Sequence, residues 1–132
     1  MFRNVDHIGI AVSSLESVVT FYKDTLGLPL HGFEEVPEQK VRVAMFPVGD
    51  ANLEFLEPTS PESPIAKFIE KKGQGIHHVA LHVEDLTAKL EDLKSRGVRL
   101  IDEKPREGAG GKKIAFVHPA ATGGILLELC QE

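Results

Sequence analysis

The sequence predicts an α+β fold made of two βαβββ modules in tandem, and three observations predict it. The first is an internal repeat. Val5-Asp6-His7-Ile8-Gly9-Ile10-Ala11-Val12 returns as Ile76-His77-His78-Val79-Ala80-Leu81-His82-Val83, so that His78 stands 71 positions after His7. The second is a helical pattern behind each copy: Leu15, Val18, Val19, Tyr22 and Leu26 in one, Leu86, Leu90 and Leu93 in the other. The third is an apolar closing strand broken by a single glutamate in each half, Leu53-Glu54-Phe55-Leu56 and Leu126-Leu127-Glu128-Leu129.

The elements follow in order. Residues 5–12 read as a strand. Ser13 or Ser14 supplies the cap of the first helix and Gly27 stops it. Residues 28–33 are a weaker strand candidate, and residues 41–46, bounded by Pro37 and Pro47, are a stronger one. With residues 53–56 they complete a first module over about residues 1–57. Residues 58–73 form a linker with three prolines in its first seven positions and then a short helix. Pro64 suits the first turn of that helix, Ser63 its cap and Gly73 its end. The second module, about residues 74–132, has Asp85 as cap and Gly97 as stop of its helix. Residues 98–101 are a weaker strand candidate, residues 108–111 a mobile glycine loop, and residues 113–117 a strand. A length of 132 residues fits a single domain, at the usual ~100–200 residues each.

Composition excludes several function classes. Hydrophobic residues make up 42% and charged residues 27%, the balance of a chain that buries a core. Fifteen basic and twenty acidic residues give a net charge of −5 with no Lys/Arg block, which argues against broad binding to nucleic acid or a membrane surface. The single cysteine, Cys130, rules out an internal disulfide and fits a reducing compartment. No apolar run approaches the ~18–20 residues of a membrane span, and the first residues lack the apolar stretch of a signal peptide. A cytoplasmic, soluble protein is expected.

The polar residues that interrupt the apolar strands are His7, His78, Glu54 and Glu128, and they fall at two pairs of equivalent positions. Taken singly, each reads most simply as a hydrogen-bonded strand residue or a solvated one. Taken as a repeat, two modules facing each other would bring two imidazoles and two carboxylates to one point. That set suits a divalent first-row metal, with two of the usual six positions left open for a substrate. Cobalt, nickel, manganese and zinc all suit such a set, and cobalt is taken as the first of these. His77 precedes His78 and points to the other sheet face. His82 shares the face of His78 and is either a strand-end residue or a cavity-lining one. His31 and His118 fall near turns, and Cys130 reads as a packing residue.

These paired halves resemble the vicinal oxygen chelate, or glyoxalase-like, superfamily. The resemblance to its methylmalonyl-CoA epimerase family spans nearly the whole chain. It rests on Asp6-His7-Ile8-Gly9-Ile10-Ala11-Val12, Pro37-Glu38-Gln39, Ser63-Pro64-Ile65-Ala66-Lys67-Phe68-Ile69, and Gly75-Ile76-His77-His78-Val79-Ala80. It continues in Gly110-Gly111-Lys112, Phe116-Val117-His118-Pro119 and Gly123-Gly124-Ile125-Leu126-Leu127-Glu128-Leu129. The resemblance implies His7, Glu54, His78 and Glu128 as metal ligands and a homodimer as the assembly. Where some epimerases carry an acid–base glutamate on the strand after the Pro-Glu-Gln loop, this chain has Val43, and where the family has Pro-Lys it has Pro119-Ala120.

The implied reaction interconverts the C2 epimers of methylmalonyl-CoA through a metal-stabilised enolate. Inversion needs an acid–base group on each face of the planar intermediate. With valine at position 43, Glu128 and Glu54 are the candidates. Lys112 and Lys113, behind the glycine loop, are the candidates for the CoA phosphates, with Arg106 and Lys104 as further choices. Glyoxalase I (lactoylglutathione lyase) is the alternative, since it shares the ligand types, but no clear arginine pair for glutathione is visible in the first half. A dioxygenase would call for two His and one carboxylate. A non-enzymatic small-molecule binder of the same fold is the third reading, and the intact ligand set argues against it.

Overall fold

The computed structural model describes all residues, 1–132. In chain order the elements are β1 (Phe2–Ala11), α1 (Leu15–Val19), β2 (Gly32–Val36), β3 (Val41–Val48), β4 (Ala51–Pro58) and α2 (Pro64–Lys72). They continue with β5 (Gly75–Val83), α3 (Leu86–Ser95), β6 (Arg106–Glu107), β7 (Lys113–Val117), α4 (Pro119–Thr122) and β8 (Leu127–Gln131). The chain divides into two compact units. One is His7–His77; the other joins Met1–Asp6 to His78–Glu132, so β1 contributes its start to one unit and its end to the other.

In the His7–His77 unit, β1 pairs in parallel with β4, β4 antiparallel with β3, and β3 antiparallel with β2. The helix packs on one face of these strands. Its Leu15 joins Val12, Ala44, Phe46 and Phe55 in a buried cluster that Val18, Val19 and Tyr22 extend. Strand alternation sends the neighbours of Ala44 and Phe55, namely Val43, Met45 and Glu54, to the opposite face.

Ser14 is the cap of α1, its hydroxyl accepting from the Ser17 N–H at 3.4 Å. Such a cap contributes about 1 kcal/mol. The Ser13 N–H goes to the Gln74 side chain instead, at 2.7 Å. The helix then widens into a π turn over Thr20–Thr25, closed by the Leu26 N–H on the Phe21 carbonyl. The wider turn breaks the 3.6-residue spacing, so Leu26, expected on the buried face, is 55% exposed. Leu28 and Leu30 pack against the core instead.

The second strand begins at Gly32, later than the expected 28–33. The Leu28 N–H is held by the Tyr22 carbonyl at the helix end, and Pro29 has no N–H to offer a ladder. The helix over Pro64–Lys72 is as the sequence predicts, with Ser63 accepting from the Ile65 N–H, Pro64 in the first turn and Gly73 ending it at φ +79°.

The second unit repeats this topology: β5 parallel to β8, β8 antiparallel to β7, β7 antiparallel to β6. Its core is Val83, Leu86, Leu90, Ala115, Val117 and Leu129. Asp85 caps α3, accepting from the Ala88 N–H at 3.1 Å. Residues 98–101 do not form the expected strand. They make one bridge, Leu100 to Val117, and the edge strand is Arg106–Glu107. Two contacts explain the shift. The Val98 N–H is taken by the Leu93 carbonyl, and the Asp102 carboxylate occupies the Phe116 N–H at 2.9 Å. The glycine stretch over Ala109–Gly111 is a turn in which Gly110 and Gly111 hold left-handed backbone. Each unit thus has the βαβββ order that the repeat predicts. No helix is long and apolar enough to cross a membrane.

Candidate metal centre

Both units build the same His–carboxylate pair by the same register. Gly9 on β1 pairs with Glu54 on β4, and Ala80 on β5 pairs with Glu128 on β8. His7 and His78 each lie two residues before the paired small residue, on the same sheet face. Gly9 has no side chain and Ala80 only a methyl, so nothing stands between imidazole and carboxylate. His7 Nδ1 is 3.1 Å from Glu54 Oε2, and His78 Nε2 is 3.3 Å from Glu128 Oε1. All four residues are buried. In each unit the pair sits on the face away from the helix, since Phe55 and Leu129, next in sequence to the glutamates, enter the helix-covered clusters.

The donor set fits a divalent ion. Two ligand atoms about 2.1 Å from an ion and at right angles to each other lie roughly 3.0 Å apart. The His–carboxylate separations of 3.1 and 3.3 Å are those of neighbouring positions around one ion. Imidazole nitrogen with carboxylate oxygen is the donor chemistry that first-row divalent metals take.

The neighbours of the second pair are aromatic. Phe116 faces Glu128 across the β7–β8 ladder, and its ring lies edge-on to His78 at 5.8 Å. The Arg106 guanidinium lies over Phe116 at 5.3 Å and pairs with Asp102 at 3.2 Å. In the first unit Met45 faces Glu54. Val43, which faces Leu56, is a buried aliphatic side chain with no proton to move.

The other histidines separate as follows. His77 packs edge-on to Phe68 of α2 at 5.0 Å, and burial lowers its pKa. His82 lines a polar recess of about 330 Å³ with Arg3, Glu84 and Gln131. His31 is exposed, and His118 Nδ1 accepts from the Ala120 N–H at the start of α4. Cys130 is buried among Ala80, Ile114 and Phe116.

The two lysines assigned to the CoA phosphates part company. Lys113 is exposed and lines a cleft of about 470 Å³ with Lys94 and Lys104, and with Glu91 and Glu103. Lys112 instead reaches back to Asp6, its Nζ lying 3.1 and 2.9 Å from the two carboxylate oxygens. Sequence reasoning missed Asp6 as a residue of interest. The available signal was a carboxylate directly before His7 in a strand, which must find a partner when buried.

The family model of the glyoxalase/bleomycin resistance protein/dioxygenase superfamily matches residues 6–116. The human mitochondrial methylmalonyl-CoA epimerase is 38% identical over 96% of this chain and 73% of its own length. The chain belongs to the methylmalonyl-CoA epimerase family of that superfamily. Among solved structures, a methylmalonyl-CoA epimerase in complex with methylmalonyl-CoA and ammonium superposes with a TM-score of 0.92 at 37% identity, covering 100% of this chain and 96% of that one. An uncharacterised protein of Bacillus subtilis (strain 168), YqjC, is 50% identical over 98% of this chain and 92% of its own length.

Proposed function

We propose that this chain is a metal-dependent methylmalonyl-CoA epimerase, and that His7, Glu54, His78 and Glu128 hold one divalent ion between them. The observation that carries the reading is the His–carboxylate pair built twice by one register, in a chain of the epimerase family. When bound, a divalent ion lowers the cost of negative charge on a neighbouring substrate oxygen.

The chain's own groups do the rest. The C2–H of the substrate lies between a thioester and a carboxylate, so its removal leaves an electron pair that delocalises onto oxygen as an enolate. Glu128 accepts the proton from C2. Glu54 is the candidate to return a proton to C2 from the opposite face, which inverts the configuration. The two carboxyls exchange protonation states in one turnover, and proton exchange with solvent restores them. Val43 leaves no third carboxylate on β3 to share this work. Lys113, with Lys104 beside it, provides positive charge for the CoA phosphates. Lys112 is committed to Asp6 and leaves that role to Lys113.

Cobalt is the metal proposed, with zinc, nickel and manganese as the alternatives that share its donor type. We take the two modules as one domain, acting as a homodimer in the cytoplasm. The test gives metal-loaded protein two substrates separately: one C2 epimer of methylmalonyl-CoA, and the hemithioacetal of methylglyoxal and glutathione. Turnover of the first alone is expected. Turnover of the hemithioacetal alone would replace the epimerase by a glyoxalase.

A further inference from the structure

We propose that Asp6 and Lys112 are a positioning pair for the metal centre. Their ion pair anchors the backbone immediately before His7 to the hairpin that carries Glu128. The inference rests on the reading of His7 and Glu128 as metal ligands.

The geometry is specific. Lys112 Nζ contacts both oxygens of Asp6, a residue 106 positions away in sequence. Asp6 is 7% exposed. The Lys112 side chain is 20% exposed. Asp6 directly precedes His7 on β1. Lys112 directly precedes β7, which pairs with β8 so that Phe116 faces Glu128. One charge pair thus spans from the neighbour of one candidate ligand to the strand beside another.

The glycine turn is shaped to present this lysine. The Gly108 N–H donates to the Lys112 carbonyl at 2.8 Å. Gly110 and Gly111 both hold left-handed backbone, at φ +70° and +72°. A Cβ on Gly108 would meet Ile114 Cγ2 at 2.7 Å, so the turn lies directly on β7. The glycine stretch therefore serves as the mount for Lys112.

Charge explains why the pair matters. A buried carboxylate without its partner is strongly destabilised, whereas a matched pair is held in place. Asp6 left bare beside His7 would compete for the ion itself. Groups that orient metal ligands from outside typically carry 10–100-fold in metal affinity. The pair should therefore act on metal binding, whereas a phosphate contact at Lys112 would act on CoA binding.

The experiment uses the full-length, metal-stripped protein, titrated with cobalt(II) and, separately, with free CoA. Wild type is compared with Asp6→Asn, Lys112→Met, the double variant and Lys112→Arg, with kcat and KM measured for each. Circular dichroism establishes that each is folded. We expect each uncharging single variant to weaken cobalt binding about tenfold or more. We expect the double variant to lose less than the product of the two singles, the mark of coupled residues. Lys112→Arg should recover most of the affinity. CoA affinity and KM should hold while kcat falls. Cobalt binding within twofold of wild type in both singles would overturn the proposal. So would a Lys112→Met that raises KM and weakens CoA while Asp6→Asn does neither. Failure of wild type itself to bind cobalt would instead overturn the metal reading on which the pair depends.

Discussion

Glu128 meets His78 at 3.3 Å because its strand partner is Ala80, two residues beyond that histidine. The alanine is fully buried and puts only a methyl at its position, with the Phe116 ring on the other side of Glu128. Gly9 stands at the matching place beside His7 and Glu54. The site depends on these two small residues as much as on its donors.

Ala80→Leu tests that dependence. The larger side chain has no room beside Ile114, Phe116 and Cys130, which pack against Ala80. Overpacking of this kind costs about 1–3 kcal/mol. We expect a folded protein with a lowered melting temperature and weakened cobalt binding. Unchanged cobalt affinity would mean that the pair does not need the gap.

Glu128→Gln removes the proposed proton acceptor while keeping the side chain's size. Loss of a positioned general base costs typically about 10²–10⁴ in rate. We expect kcat to fall by at least the lower figure, with circular dichroism unchanged. Near-normal turnover, measured from a single epimer, would transfer the role elsewhere.

Metal should stabilise the fold. An ion bound only by the folded state adds about 2.7 kcal/mol at a concentration one hundred times Kd. Cobalt should therefore raise the melting temperature of stripped wild type, and His7→Ala should abolish the rise. An equal rise in both proteins would place the ion away from His7.

Acid stability offers a control far from the site. The hydrogen bond from Arg96 Nε, at 3.1 Å on α3, holds the Asp92 carboxyl below its ordinary pKa of 3.8, and the nearby charges of Arg96 and Lys89 reinforce it. A depressed carboxyl supports stability above its unfolded pKa and loses that support as the pH falls through the folded value. Asp92→Asn should show a flatter melting-temperature profile below about pH 4 than wild type. Parallel profiles would contradict the shift.

The module order and the helix caps were legible because they depend on local patterns. The repeat placed both His-bearing strands, Ser63, Pro64 and Gly73 bounded the middle helix, and Asp85 capped the last long one. The errors arose where tertiary contacts compete with pattern. Leu26 looked like a core residue until the helix widened after Val19. Residues 98–101 looked like a strand, yet Asp102 takes the N–H that such a strand would use. The contact between Lys112 and Asp6 was not legible, because no local pattern reports partners 106 positions apart.

The most direct test of the central claim is proton exchange at C2. Metal-loaded protein is incubated with one epimer of methylmalonyl-CoA in deuterated water, and the C2 proton is followed by NMR beside metal-stripped protein and Glu128→Ala. The account predicts fast loss of the C2 proton signal together with loss of stereochemistry in the loaded wild type, and neither above background in the controls. Exchange no faster than in the stripped protein would contradict it.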